Sequence, residues 1–75
     1  MTYVVEFEDN EGNDGRDVFN TESEAETAIL SDLDYVKLEF VHEHRMYDVA
    51  DFGHEVEIWE PGGDKYVRWR RMWRK

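Results

Sequence analysis

The sequence predicts an α+β protein, a curved antiparallel β-sheet of about five strands packed on one α-helix, in the order ββαβ(β)ββ. Three observations lead there. Apolar and polar residues alternate with a period of two in several short runs, the pattern of half-buried strands. One acidic stretch, 22–34, shifts to the period of an amphipathic helix. Pro61-Gly62-Gly63-Asp64 separates the last two β-rich runs, as a hairpin turn would.

"TYVVEFED" (2–9) sets Tyr3, Val5 and Phe7 against Val4, Glu6 and Glu8 and reads as the first strand. "NEGNDG" (10–15) holds the Asn, Asp and Gly that turns require, and "RDVFNT" (16–21) returns as the second strand. Thr21 followed by Glu24 fits a capping box, with Ser23 and Glu26 as a second register. The helix that follows places Ala25, Ala28, Ile29 and Leu33 on one face, and Glu22, Glu24 and Glu26 suit the positive end of its dipole. "YVKLEFVHE" (35–43) alternates and reads as a third strand with Val36, Leu38, Phe40 and His42 on one side. Residues 44–53 hold a short extra strand around Met46–Val49 or an irregular connection ending at Gly53. "HEVEIWE" (54–60) and "KYVRWRR" (65–71) close the chain as two arms of a hairpin about Gly62 and Gly63.

With that turn, Glu60 faces Lys65, Trp59 faces Tyr66, Ile58 faces Val67, Glu57 faces Arg68, Val56 faces Trp69 and Glu55 faces Arg70. Ile58, Val67, Val56 and Trp69 then share the core side, while three acid–base pairs share the other. Such pairs contribute a few tenths to about 1 kcal/mol each. They set register, because a slip of one residue exchanges the two faces. This assigns Lys65, Arg68 and Arg70 to internal partners and leaves Arg71, Trp73, Arg74 and Lys75 unassigned.

The chain has 75 residues, which fits one domain (1–75) near the lower size limit for a self-sufficient core. It contains no cysteine, so neither disulfides nor thiolate zinc sites can staple it. No apolar run approaches the ~20 residues of a membrane span, and no signal-peptide pattern opens the sequence, so a cytoplasmic protein is expected. The formal net charge is −10, unevenly placed. Residues 1–34 carry eleven acids against Arg16 alone, whereas residues 61–75 carry six bases against Asp64. An acidic field of this kind repels nucleic acid and anionic membrane and steers toward basic partners.

The catalytic motifs are missing: no Cys nucleophile, Gly-rich phosphate loop or GxSxG elbow occurs, and a non-enzymatic protein without cofactor is expected. His42 and His44, flanking Glu43 at the end of the expected third strand, would share one side of an extended chain and could contribute two metal ligands, with His54 or an acid as a third. A sheet-face histidine pair is the simpler reading, and no metal site is assigned. "RWRRMWRK" interleaves cations with aromatics as nucleic-acid grips do, which makes Arg71, Trp73, Arg74 and Lys75 the alternative site. The preferred partner-binding surface is acidic: Glu8, Asp9, Glu11, Asp14, Glu22, Glu24, Glu26, Asp32 and Asp34, from the first turn and the helix. Duplex DNA carries a charge about every 1.7 Å of axis, and clustered carboxylates can imitate that density toward the basic surface of a nucleic-acid-binding complex. A further alternative is a structural or interaction module, with a homodimer formed through strand edges or through Trp59, Tyr66 and Trp73.

Small size, acidity and the pattern "YVVEFED…G…FNTESEAETAI…YVKLEF…VEIWEPGGDKYVRW" together resemble the small phage-encoded inhibitors called anti-CRISPR proteins. The resemblance spans most of the chain as pattern and composition. It implies a stoichiometric inhibitor in the host cytoplasm that binds a CRISPR effector and blocks recognition of target DNA or PAM. The acidic residues named above come from charge placement and not from the family.

Overall fold

A computed structural model describes residues 2–73. Its elements are β1 (Tyr3–Asp9), β2 (Asp14–Phe19), α1 (Glu22–His42), β3 (Asp48–Asp51), β4 (Glu55–Trp59) and β5 (Tyr66–Arg71). The strands form one open sheet in the order β2-β1-β5-β4-β3, antiparallel at every step. The last strand therefore inserts between the first and the fourth, and β5 is the centre of the sheet.

Alternation sorts each strand by face. Val5, Val56, Ile58, Val67 and Trp69 point toward the helix and are buried with Ala25, Ile29, Leu33 and Phe40 in one core. Phe7 and Val36 pack against its margin. Trp69, Phe40, Ile29 and Ile58 are the largest fully buried side chains. Each contributes on the order of 1.5–3 kcal/mol by leaving water. The opposite face, formed by the other residues of each strand, carries no helix; Glu8, Glu55, Glu57, Arg68 and Arg70 form an ion-pair lattice there, beside Val4, Val18, Trp59 and Tyr66.

The helix begins where the capping box places it. Thr21 is extended (φ −130°, ψ 153°), and its hydroxyl accepts the Glu24 backbone N–H at 3.1 Å. It ends later than the sequence suggests: 35–43, expected as a strand, continues α1 to His42. The β-branched and aromatic residues there imitate strand alternation, yet Ile29, Leu33, Val36 and Phe40 also recur at helical spacing and lie on the sheet-facing side. No Gly or Pro intervenes to stop the helix. It stops in a Schellman motif with a histidine in the left-handed position. His44 has φ 59°, its N–H donates to Val41 O at 3.0 Å, and Arg45 N–H donates to Phe40 O at 2.9 Å.

The optional strand in 44–53 is real, as β3 at Asp48–Asp51, and brings the sheet to five strands. The hairpin register is as the sequence predicts, from Glu55 opposite Arg70 to Trp59 opposite Tyr66. Glu60 N–H donates to Lys65 O at 2.9 Å and closes the ladder. The turn differs from a two-residue one: Pro61 to Asp64 form the loop, and Gly63 N–H donates to Glu60 O at 3.0 Å. Pro61 followed by Gly62 at φ 76° gives the arrangement of a type II turn.

Candidate partner-binding surface

The electrostatic surface follows from where the cations are used. Every Lys and Arg among the described residues meets a carboxylate: Arg16, Lys37, Arg45, Lys65, Arg68, Arg70 and Arg71. Arg68, on the central strand's open face, reaches Glu8 at 2.7 Å, Glu55 at 2.8 Å and Glu57 at 2.7 Å. Its hydrogen bond with Glu57 above all, opposed by burial, raises its pKa further. Only Glu57–Arg68 pairs as cross-strand facing predicts. Arg70 turns to Glu8 of β1 at 2.8 Å instead of Glu55, and Lys65 goes to Glu43 at 2.8 Å instead of Glu60, which Arg45 takes. The central position of β5 explains the Arg70 exchange, because Glu8 of β1 competes with the acids of β4 for the same arginines, while Lys65 is drawn to Glu43 at the C-terminal end of α1.

Arg71, assigned by sequence to a nucleic-acid site, lies on the helix face and is 6% exposed. Its guanidinium donates to Asp51 of β3 at 2.6 Å, to Glu26 of α1 at 3.0 Å and to Gly53 O at 2.9 Å. Arg71 is thus a clamp between the helix and the β3–β4 turn and does not face a ligand. The Asp51 bond first, against the cost of burial, keeps its pKa raised. Trp73 packs edge-on against Tyr3 with ring centroids 5.4 Å apart, and its indole N–H is buried without a partner among the described residues. Arg74 and Lys75, the rest of that candidate site, lie outside the described residues.

The acidic candidates divide. Glu8 is held in the Arg68–Arg70 lattice, Glu26 by Arg71, and Asp34 stands 4.0 Å from Lys37. Asp9 folds into its own hairpin loop, accepting the N–H groups of Glu11 and Asn13 at 2.9 and 3.0 Å. Burial pushes the Asp9 carboxyl up, and the hydrogen bonds from Asn13 and Glu11, with Lys65, outweigh this and hold it low. Glu11, Asp14, Glu22, Glu24 and Asp32 remain exposed on the hairpin and the helix. The sequence reading missed Asp17, on the helix-side face of β2, and Glu39, which its strand assignment for 35–43 concealed. Glu11, Asp14, Asp17, Glu24, Asp32 and Glu39 have no cationic partner among the described residues.

Whereas Asp14, opposite Glu8, lies on the open face of the sheet, Glu24, Asp32 and Glu39 line up because Glu24, Ala28, Asp32, Tyr35 and Glu39 form one row on α1, successive members three or four residues apart. That flank faces β1. A groove of about 380 Å³ between them is lined by Phe7, Asp32, Tyr35, Val36, Glu39, Val67 and Trp69. Gly15 of β2, opposite Phe7, leaves room for the ring, since a Cβ there would collide with it. A shallower depression of about 740 Å³ continues past Tyr35 and Glu39 to Leu38, Val41, His42 and Glu11.

His42 and His44 do not share a strand side as the sequence reading has it, because one ends the helix and the other occupies the left-handed turn. No group of three or more His, Asp or Glu placed to hold a metal ion occurs among the described residues. No helix among them is long and apolar enough to cross a membrane. Comparison with protein-family models, with curated proteins and with solved structures finds no match.

Proposed function

We propose that the protein is a non-enzymatic inhibitory binding protein that sets its acidic hairpin-and-helix flank against the cationic nucleic-acid site of a partner complex, in place of DNA phosphates. A CRISPR effector is the partner that the resemblance to anti-CRISPR inhibitors suggests. The observation that carries the reading is the uneven use of charge. The described cations are all engaged within the fold, while Glu11, Asp14, Asp17, Glu24, Asp32 and Glu39, on the β1–β2 hairpin and one helix flank, meet no cation among the described residues. At 1.5 Å rise per residue, Glu24 to Glu39 spans about 22 Å of helix. Seven phosphates of one DNA strand cover a comparable length at about 3.4 Å each, so hairpin acids are needed beside the helix row to approach that density. Arg71, one of the four residues of the alternative nucleic-acid site, is engaged by Glu26 and Asp51, which favours the acidic surface.

The test is a competition in which an effector complex receives labelled target DNA and increasing protein. Binding of protein and DNA should be mutually exclusive and should weaken steeply as salt rises, since the contact is between opposite charges. The triple reversal Glu11→Lys, Glu24→Lys, Asp32→Lys should lose inhibition by at least about tenfold, as several charge pairs are inverted. These positions are exposed and outside the ion-pair lattice; only Glu24 gives up a contact, its capping-box bond with the Thr21 hydroxyl, so circular dichroism should show the fold intact before inhibition is compared. Inhibition intact in that variant, or DNA and protein bound together, would sink the reading.

A further inference from the structure

The groove beside α1 has a second property that charge does not explain. Tyr35, Leu38 and Val41 are 65%, 68% and 60% exposed, large apolar side chains left in water on a helix whose other stripe already fills the core. They follow one another every three residues, which makes them a ridge on the helix surface. Tyr35 stands between the two depressions: one is floored by Phe7, Val36, Val67 and Trp69, and the other is lined by Leu38, Val41 and His42. The rim is acidic, with Asp32, Glu39 and Glu11 lacking cationic partners among the described residues. Its one lysine, Lys65, is held by Glu43 at 2.8 Å.

We infer that this ridge and groove receive an amphipathic cationic helix of the partner protein, with apolar residues against Tyr35, Leu38 and Val41 and Lys or Arg over Asp32, Glu39 and Glu11. The inference rests on the proposed function in taking the partner to be cationic, and it adds how that partner is gripped. A helix is the favoured occupant because a ridge of residues three apart fits the groove between residues four apart on a second helix, at about +20°. From Tyr35 to Val41 the ridge runs about 9 Å, so two to three turns of the partner suffice. A second copy of this chain is the poorer occupant. With a net charge of −10 on each molecule, pairing the ridges would bring Asp32 and Glu39 of each copy against acids of the other.

The probe is an 18-residue Leu/Lys/Ala peptide of helical periodicity, with a permuted peptide of the same composition as control. In 15N-labelled protein the periodic peptide should shift the amides of Phe7, Glu11 and 35–41 and the Trp69 indole N–H. It should bind at least about tenfold more tightly than the permuted one, as apolar anchors add to charge. Leu38→Ser and Tyr35→Ser should each weaken it about fivefold, and Asp32→Asn with Glu39→Gln should do so while flattening the salt dependence. Unchanged circular dichroism and melting of these exposed-site variants verify the fold. Equal binding of the two peptides, or shifts confined to the open sheet face, would overturn the inference. DNA competition that survives both serine variants would also remove the groove while leaving the mimicry. Peptide binding in the groove without any competition against DNA would retain the groove and remove the mimicry.

Discussion

Burying a guanidinium costs several kcal/mol unless its donors are met, and Arg71 meets this with two carboxylates and a backbone carbonyl. Arg71→Met should lower the unfolding free energy by about 2–3 kcal/mol, below the range for fully buried pairs because Asp51 is 57% exposed and water can solvate it. Urea denaturation reads the loss directly. If Arg71 served nucleic acid instead, the variant would be as stable as the wild type and would change DNA affinity. His44 is the other residue with an unusual task, since at φ 59° it occupies a backbone region that suits glycine. His44→Gly should therefore raise stability by about 0.5–1 kcal/mol, seen as a higher melting temperature, because the Schellman bonds form without the Cβ penalty. Destabilisation would show that the imidazole makes a contact of greater worth.

At the scale of elements, the β4–β5 hairpin was legible in full register and α1 was legible only at its start. The hairpin advertises itself through residues that meet in sequence: Pro61-Gly62 for the turn, Val56 and Ile58 against Val67 and Trp69 for the core. The end of α1 depends on His44, a residue type that carries no stop signal, and on Phe40 being needed under Tyr47 and Lys65. Whether residues 35–42 are helical is directly testable. Leu38→Pro should cost at least about 3 kcal/mol and reduce the helical circular dichroism signal, because proline removes a backbone bond and clashes with the preceding turn. If 35–43 were an alternating strand, the far-ultraviolet helical signal would not change.

Across the whole molecule, acidity and stability are linked through particular carboxylates. Lys65 first, then Arg45, holds the Glu43 carboxyl below its ordinary value, and Asp9 is held low by its loop hydrogen bonds against the effect of burial. A carboxyl whose pKa is depressed by folding contributes stability that is fully present above its unfolded value and disappears as pH falls through the folded one. Stability should thus decline in the acid range below the ordinary glutamate value, while relief of self-repulsion in a chain of net charge −10 works the other way. Glu43→Gln isolates the first effect. The difference in unfolding free energy between wild type and variant should be constant near neutrality and shrink as pH falls below the ordinary carboxylate range. A difference independent of pH would mean that the Glu43 charge does not couple to folding.

The sequence by itself determined the sheet-on-helix class, the N-cap at Thr21, the pairing of β4 with β5 and the concentration of acid in the first half. These are properties of neighbours along the chain or of composition, and period, turn chemistry and charge sums report them. Tertiary structure alone decided that β5 sits between β1 and β4 and that α1 runs on through 35–42, and the charge placement follows from these two facts. Glu8 was withdrawn from the acidic face into the Arg68 lattice, Arg71 was buried between Glu26 and Asp51, and Glu39 joined Asp32 over a groove floored by Phe7 and Trp69. The physical reason is that a central strand has two neighbours, and only one of β5's is close in sequence. The β1 contacts that redistribute the charges bridge some sixty residues of chain, a separation no local pattern encodes.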